Sequence, residues 1–127
     1  MMEDGILIID DREIFRSAVK HIFMRKNFDT LGISNGKIAM ERIRHSDIEL
    51  VILKHDLPDW SGLKTLKKIK SEYPDMKVVC VADNLDEETQ QAYYEAGVEN
   101  IVTRTLFFGN TDNFIDELPL GNQVKSK

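Results

Sequence analysis

Charged and polar residues in this sequence fall directly after short apolar runs. Asp10-Asp11 follows Gly5 to Ile9, and Lys54 follows Leu50-Val51-Ile52-Leu53. Ala82-Asp83 ends the run that begins at Val78, and Arg104-Thr105 follows Ile101-Val102-Thr103. Two adjacent carboxylates attract a cation and repel an anion. A lysine ammonium beside two carboxylates keeps its proton, because neighbouring negative charge favours the charged form. The plainer alternatives are that Asp10 and Asp11 are a helix cap and an exposed acid, and that Lys54 extends to water on its long stem. His21, His45 and His55 fall on separate segments, so they do not form a metal cluster. Cys80 is the single cysteine, which excludes an internal disulfide and a cysteine-based zinc site and leaves an inert core thiol.

The elements that position these residues follow from periodicity. Gly5 to Ile9 is a continuous apolar run, as expected of a buried parallel strand. Ile14, Phe15, Ala18, Val19, Ile22 and Phe23 then recur at helical spacing. Asp10 and Glu13, three apart, read as a capping box at the start of that helix. Phe28 to Ile33 is a weaker strand, and Asn35-Gly36 opens a helix carrying Ile38, Ala39 and Ile43. Leu50 to Leu53 is a second buried strand, running into a loop from Lys54 to Ser61 that holds Leu57-Pro58-Asp59 and Trp60. Leu63, Leu66 and Ile69 mark a helix that stops before Tyr73-Pro74, since the residue before proline avoids helical dihedrals. Val78 to Ala82 is a strand, Glu87 to Ala96 a helix with Gly97 as its left-handed cap, and Ile101 to Thr103 a fifth strand. A last helix is expected from Asn110 to Leu118, closed by Pro119, with a polar tail from Gly121 to Lys127.

Strands alternating with helices predict an α/β fold with a parallel sheet covered on both faces by right-handed crossovers. Ligands of such sheets bind beyond the carboxyl ends of the strands, where Asp10, Asp11, Lys54, Ala82 and Arg104 stand. The chain has 127 residues, suiting one domain. Its 42% hydrophobic and 31% charged residues are ordinary for a folded domain. A formal net charge of −5 argues against nucleic acid as a ligand, because phosphate binding needs a basic footprint. No apolar run approaches the ~20 residues that span a bilayer. The acidic start Met1-Met2-Glu3-Asp4 is unlike a signal peptide, so a cytoplasmic protein without membrane partners is expected.

Four pieces together resemble the receiver domain of two-component response regulators. They are Ile6-Leu7-Ile8-Ile9-Asp10-Asp11, Asn35-Gly36 with Ala39, Leu50 to Gly62 with Leu57-Pro58 and Gly62-Leu63, and Glu95-Ala96-Gly97. The resemblance covers nearly the whole chain, with residues 1–120 as the receiver-like domain and 121–127 as tail or linker. It implies a flavodoxin-like (βα)5 doubly wound sheet of strand order 2-1-3-4-5. In that family paired acids and an acceptor aspartate hold magnesium, the acceptor takes a phosphoryl group, and a hydroxyl residue and a lysine grip it. Asp10 and Asp11 match the acid pair, and Asp56 sits where the family lends a backbone carbonyl to the metal. The acceptor position is Lys54, the hydroxyl position Ala82, the lysine position Arg104, the following proline Thr105 and the aromatic switch position Ile101.

The resemblance with these departures implies an atypical receiver that is no enzyme, is not phosphorylated and acts as a protein-interaction module. Lys54 is expected to set its ammonium between Asp10 and Asp11, where magnesium would sit. Asp10 and Asp11 contribute −2 while Lys54 and Arg104 contribute +2, so no cofactor is expected beyond a weak residual magnesium affinity. Arg104 either pairs with an acid of the pocket or lies on the surface. The family analogy places partners, whether a histidine kinase, an output domain or an adaptor, on the fourth and fifth helices and fifth strand, with Ala92, Tyr93, Ile101, Arg104 and Thr105 as interface candidates. A homodimer is also compatible. Lys64, Lys67, Lys68 and Lys70 form a solvated face or meet an acidic partner, and Trp60 is a modest interface hint. The rivals are a receiver phosphorylated on a neighbouring acid such as Asp56 and a flavodoxin-like small-molecule binder.

Overall fold

Residues buried on both sides of a sheet must be apolar at every position, and the three such runs here, Ile6–Ile9, Leu50–Leu53 and Val78–Val81, become its inner strands. The computed structural model describes residues 5–109. β1 (Gly5–Ile9), β2 (Asp29–Ile33), β3 (Ile48–Lys54), β4 (Lys77–Val81) and β5 (Asn100–Val102) form a parallel sheet in the order β2-β1-β3-β4-β5. The connecting helices are α1 (Glu13–Arg25), α2 (Gly36–Arg44), α3 (Gly62–Glu72), α4 (Glu87–Glu95) and α5 (Arg104–Gly109). This is the doubly wound fold and strand order expected from the sequence.

Alternation along each strand divides the core in two. Ile6, Ile8, Leu50 and Ile52 pack against Phe15, Val19 and Phe23 of α1 and Phe107 of α5. Leu7, Ile9, Val51 and Leu53 pack on the other face against α2, α3 and α4 through Ala39, Ile43, Leu66, Ile69 and Tyr93. Helix starts are set by local polar caps. Asn35 accepts from the Ile38 amide at 2.9 Å, Ser61 from Lys64 at 3.1 Å and Asp86 from Thr89 at 2.7 Å. α3 ends at Tyr73, before Pro74, and Gly97 takes the left-handed φ of +97° after α4.

Three expectations change. The capping box at α1 does not form: its N-cap is Arg12 with no side-chain cap, because the Asp10 carboxylate turns back onto Arg12 itself. Ile14 shares the helical periodicity of α1 yet is 85% exposed, since the core contact needs only Phe15, Val19 and Phe23. The chain enters α5 straight after β5, with the Thr103 hydroxyl accepting from the Leu106 amide at 3.1 Å. The helix expected from Asn110 to Leu118 and the tail lie outside the described residues. Among the described residues no helix is long and apolar enough to cross a membrane, and no peptide bond is cis.

One glycine fixes how closely the loop after β3 meets α4. A Cβ at Gly62 would lie 2.5 Å from the Lys54 carbonyl oxygen, 2.5 Å from the Tyr93 hydroxyl and 2.8 Å from the His55 Cα. Two of those three neighbours are backbone and cannot rotate away. Gly62→Ala should therefore lower unfolding free energy by about 2 kcal/mol or more, the cost of overpacking a tight site, measured as a shifted urea midpoint with an unchanged slope.

Candidate functional site

The carboxyl ends of β1, β3, β4 and β5 surround a cleft of about 190 Å³, lined by Arg12, Lys54, Asp56, Ala82, Asp83 and Arg104 among others. Asp10, the partner of the lining residue Arg12, is buried, with 1% of its surface exposed. A buried carboxylate needs a partner for each oxygen. Arg12 supplies both: its backbone amide and Nε donate to Oδ1 at 2.9 and 2.8 Å, and its Nη2 donates to Oδ2 at 2.6 Å. The guanidinium also lies 4.7 Å from the Phe15 ring centroid, and Arg16 donates to the Asp10 carbonyl at 2.8 Å. The Asp10 hydrogen bond raises the pKa of Arg12, so this cation is permanent.

Asp11 is separate from this pair. Lys54 Nζ donates to Asp11 Oδ1 at 2.6 Å, and the side chains are 21% and 39% exposed. The Lys54 hydrogen bond, opposed by partial burial, holds the Asp11 carboxyl below its ordinary value. The expected ammonium between two carboxylates is thus corrected to two adjacent one-to-one pairs. The physical reason is geometry: the planar fork of Arg12, two residues along the same loop, matches both oxygens of Asp10, and a single ammonium does not. Arg12 was the missed residue. Its signal was a basic side chain directly following the acid pair in Asp10-Asp11-Arg12.

Arg104 stands at the rim rather than among the β1 acids. Its amide and Nε donate to Asp83 at 3.1 and 3.0 Å, and its amide is the main cause of the lowered pKa of Asp83. Ala82 lines the cleft with no polar side-chain atom, and Asp56 is exposed at its edge. Of the interface candidates, Arg104 and Thr105 are exposed, and Ala92 and Ile101 half-buried. Tyr93 is corrected: it is fully buried, with its hydroxyl 2.5 Å from His55 Nδ1, while the adjacent Tyr94 is 49% exposed. Burial raises the Tyr93 pKa and pushes the nearby Cys80 thiol up to about 12, as suits an inert core thiol.

This sheet, with an acid pair after its first strand and a cleft across the strand ends, was compared with known proteins. The family model for the response regulator receiver domain matches residues 6–110. The chain belongs to that family. Receiver domains are signalling modules of two-component systems. Among curated relatives, this receiver is 31% identical over 104 residues to the autoinducer 2 sensor kinase/phosphatase LuxQ of Vibrio cholerae, covering 80% of the chain and 12% of that protein. It is 28% identical over 79 residues to sporulation initiation phosphotransferase F of Bacillus subtilis, covering 62% of the chain and 64% of the relative. The receiver therefore spans less than two-thirds of either protein. The fold is shared with a CheY-like receiver domain protein from Methanospirillum hungatei, at a TM-score of 0.86 and 22% identity over 98% of both chains. It is shared too with TrrA from Thermotoga maritima, solved with Mg2+-BeF, at a TM-score of 0.79 and 20% identity over 91% of this chain and 98% of that one.

The two pairs should respond differently to removal of the cation. Arg12→Ala leaves a buried carboxylate without its fork and should cost about 2–4 kcal/mol, read by chemical denaturation. Lys54→Met leaves a carboxylate that water reaches and should cost under about 1 kcal/mol. The pH dependence has a definite sign. Because the folded pKa of Asp11 is depressed, its stabilisation is present above the ordinary value of 3.8 and is lost as pH falls through the depressed value. Carbonyl NMR should place the Asp11 midpoint below 3.8 in the parent chain and raise it in Lys54→Met.

Proposed function

We propose that this receiver works by protein association without accepting a phosphoryl group, its acid pair held by cations of its own chain. The observation that carries the reading is the pairing of both β1 acids, Asp10 with Arg12 and Asp11 with Lys54. By the family resemblance, Lys54 stands at the acceptor position. A carboxylate can form an acyl phosphate, whereas a protonated ammonium has no lone pair with which to attack phosphorus. Lys54 Nζ donates to Asp11 Oδ1 at 2.6 Å. Ala82 offers no hydroxyl to hold a phosphoryl oxygen.

The residues present do not fit the family's magnesium. Magnesium takes carboxylate and water oxygens in an octahedron. Both Asp10 oxygens already accept from Arg12, and Asp11 accepts from Lys54. A unit positive charge about 4 Å from a divalent ion costs roughly 8 kcal/mol at an effective dielectric of about 20. Arg12 and Lys54 supply the +2 that balances Asp10 and Asp11, in place of the Lys54 and Arg104 expected from the sequence.

The partner surface under this reading is α4, β5 and α5, presenting Ala92, Ile101, Arg104, Thr105 and, on α4, the half-exposed Tyr94. Tyr94 Oη donates to Asn100 Oδ1 at 3.1 Å and so sits over this edge strand. Such a receiver would serve a cytoplasmic kinase, output domain or adaptor through that surface. Incubation with acetyl phosphate and magnesium followed by intact-mass measurement checks the chemistry. An unchanged mass is expected; a stoichiometric gain of one phosphate, on Asp56 or another acid, contradicts it.

A further inference from the structure

Away from the strand ends, the outer side of α3 forms a second concave feature. Lys64, Lys67 and Lys68 are exposed there at positions i, i+3 and i+4, and with Leu63 and two serines they line a groove of about 490 Å³. No residue of this groove lines the strand-end cleft. Trp60 flanks Lys64 and Lys68 on the side of α3 toward α2. The two ammoniums lie 5.3 and 5.5 Å from its ring centroid, which limits the freedom of otherwise mobile side chains. The indole is itself held. It is half-buried, its Cε3 lies 3.2 Å from where a Cβ on Gly36 would stand, and the preceding Asp59 accepts from the Gly36 and Lys37 amides at 3.0 and 2.9 Å.

The groove carries positive charge with no acid of its own. Among the described residues no carboxylate lies within ion-pair distance of Lys64, Lys67 or Lys68. The acids that flank the strip in sequence are both engaged, Asp59 with the start of α2 and Glu72 with Arg44, whose Nη2 and Nε donate to it at 2.8 and 3.1 Å. Lys70, the fourth lysine of α3, is not part of the groove; it donates to the Pro74 carbonyl at 3.2 Å. Leu63 and the lysine stems give the groove an apolar lining between the ammoniums. Cations at this spacing match acids at the same spacing on a partner helix, and the lining asks for an aliphatic side chain between those acids. We propose that this groove is a second docking surface, taken by an acidic amphipathic segment of a partner protein whose carboxylates meet Lys64, Lys67 and Lys68 and whose leucine-like side chain seats against Leu63. Ammoniums already ordered over an indole lower the ordering cost of binding. Exposed ion pairs each contribute little, so the contact is weak and salt-sensitive. An anionic membrane suits the groove less well, because it repels a chain of net charge −5.

The probe is a short synthetic peptide of glutamate, leucine and alanine, its glutamates at helical spacing, titrated into the 127-residue chain. Trp60, the single tryptophan, reports on the groove directly. In about 20 mM salt its fluorescence should change saturably between high micromolar and about 1 mM peptide, with amide NMR shifts concentrated from Trp60 to Ser71. The response should fade by about 0.5 M salt, where the screening length is only a few ångströms. Lys67→Glu should weaken binding at least about fivefold. Lys20→Glu makes the same change in net charge from α1, on the other face of the sheet, and should weaken it less than about twofold. Lys64→Glu combined with Lys67→Glu and Lys68→Glu should bind the lysine counterpart of the peptide instead, which a misfolded chain would not do. No saturable response by about 5 mM acidic peptide overturns the proposal. So does equal binding of the glutamine counterpart, equal weakening by Lys20→Glu, or a response to phosphatidylserine vesicles in place of the peptide.

Discussion

Two carboxylates placed side by side at the end of an inner strand are a demand for positive charge. One of them, Asp10, is out of reach of water, and an unpaired ion there would cost several kcal/mol. The remainder of the strand-end region can be read as the answer to that demand. Arg12 turns back on Asp10 with both prongs of its guanidinium, braced against Phe15. Lys54 crosses from β3 to Asp11. Arg104 closes the outer rim on Asp83. These four strand ends are held by charge supplied from within the chain.

That arrangement bears on how a receiver of this kind transmits information. The path from cleft to surface in a parallel sheet must run through side chains that bridge a strand end and a helix. By the family resemblance the hydroxyl position is Ala82 and the switch position Ile101, neither of which can make a hydrogen bond through its side chain. A different bridge is present: His55, next to Lys54, meets the hydroxyl of Tyr93 on α4, and Gly62 lets loop and helix come together. Tyr93 is fully buried in this contact, which holds α4 against the β3 loop. Under the proposed reading, a receiver with its pocket and helix held in this way would signal by which partner it meets.

Much of the architecture was legible in the residues. Leu50 to Leu53 and Ile6 to Ile9 read as inner strands because burial on both faces leaves no polar position, and the caps Asn35, Ser61 and Asp86 carry their own hydrogen-bonding logic. The misreadings came where one residue had two uses. Asp10 and Glu13 have capping-box spacing, but the local pull of Arg12 on the carboxylate wins over a helix amide. Tyr93 and Tyr94 are equivalent in sequence, and only the sheet decides which one turns inward. Ile14 fits the period of α1 and still faces water, because spacing names a stripe without fixing its width. The acid pair itself was visible, as was Lys54; the partner of Asp10 was hidden because an adjacent basic residue in a loop has no periodicity to betray it.

The account stands on the β1 acids being occupied by Arg12 and Lys54, and metal competition examines that occupancy without relying on any downstream chemistry. Magnesium titration of the isotopically labelled chain, followed through the amide signals of Asp10, Asp11, Arg12 and Lys54, is the direct measurement. The account predicts no saturable movement of these signals up to about 10 mM metal, since binding would have to displace two charge-assisted contacts. A saturable shift anywhere within that range would contradict it.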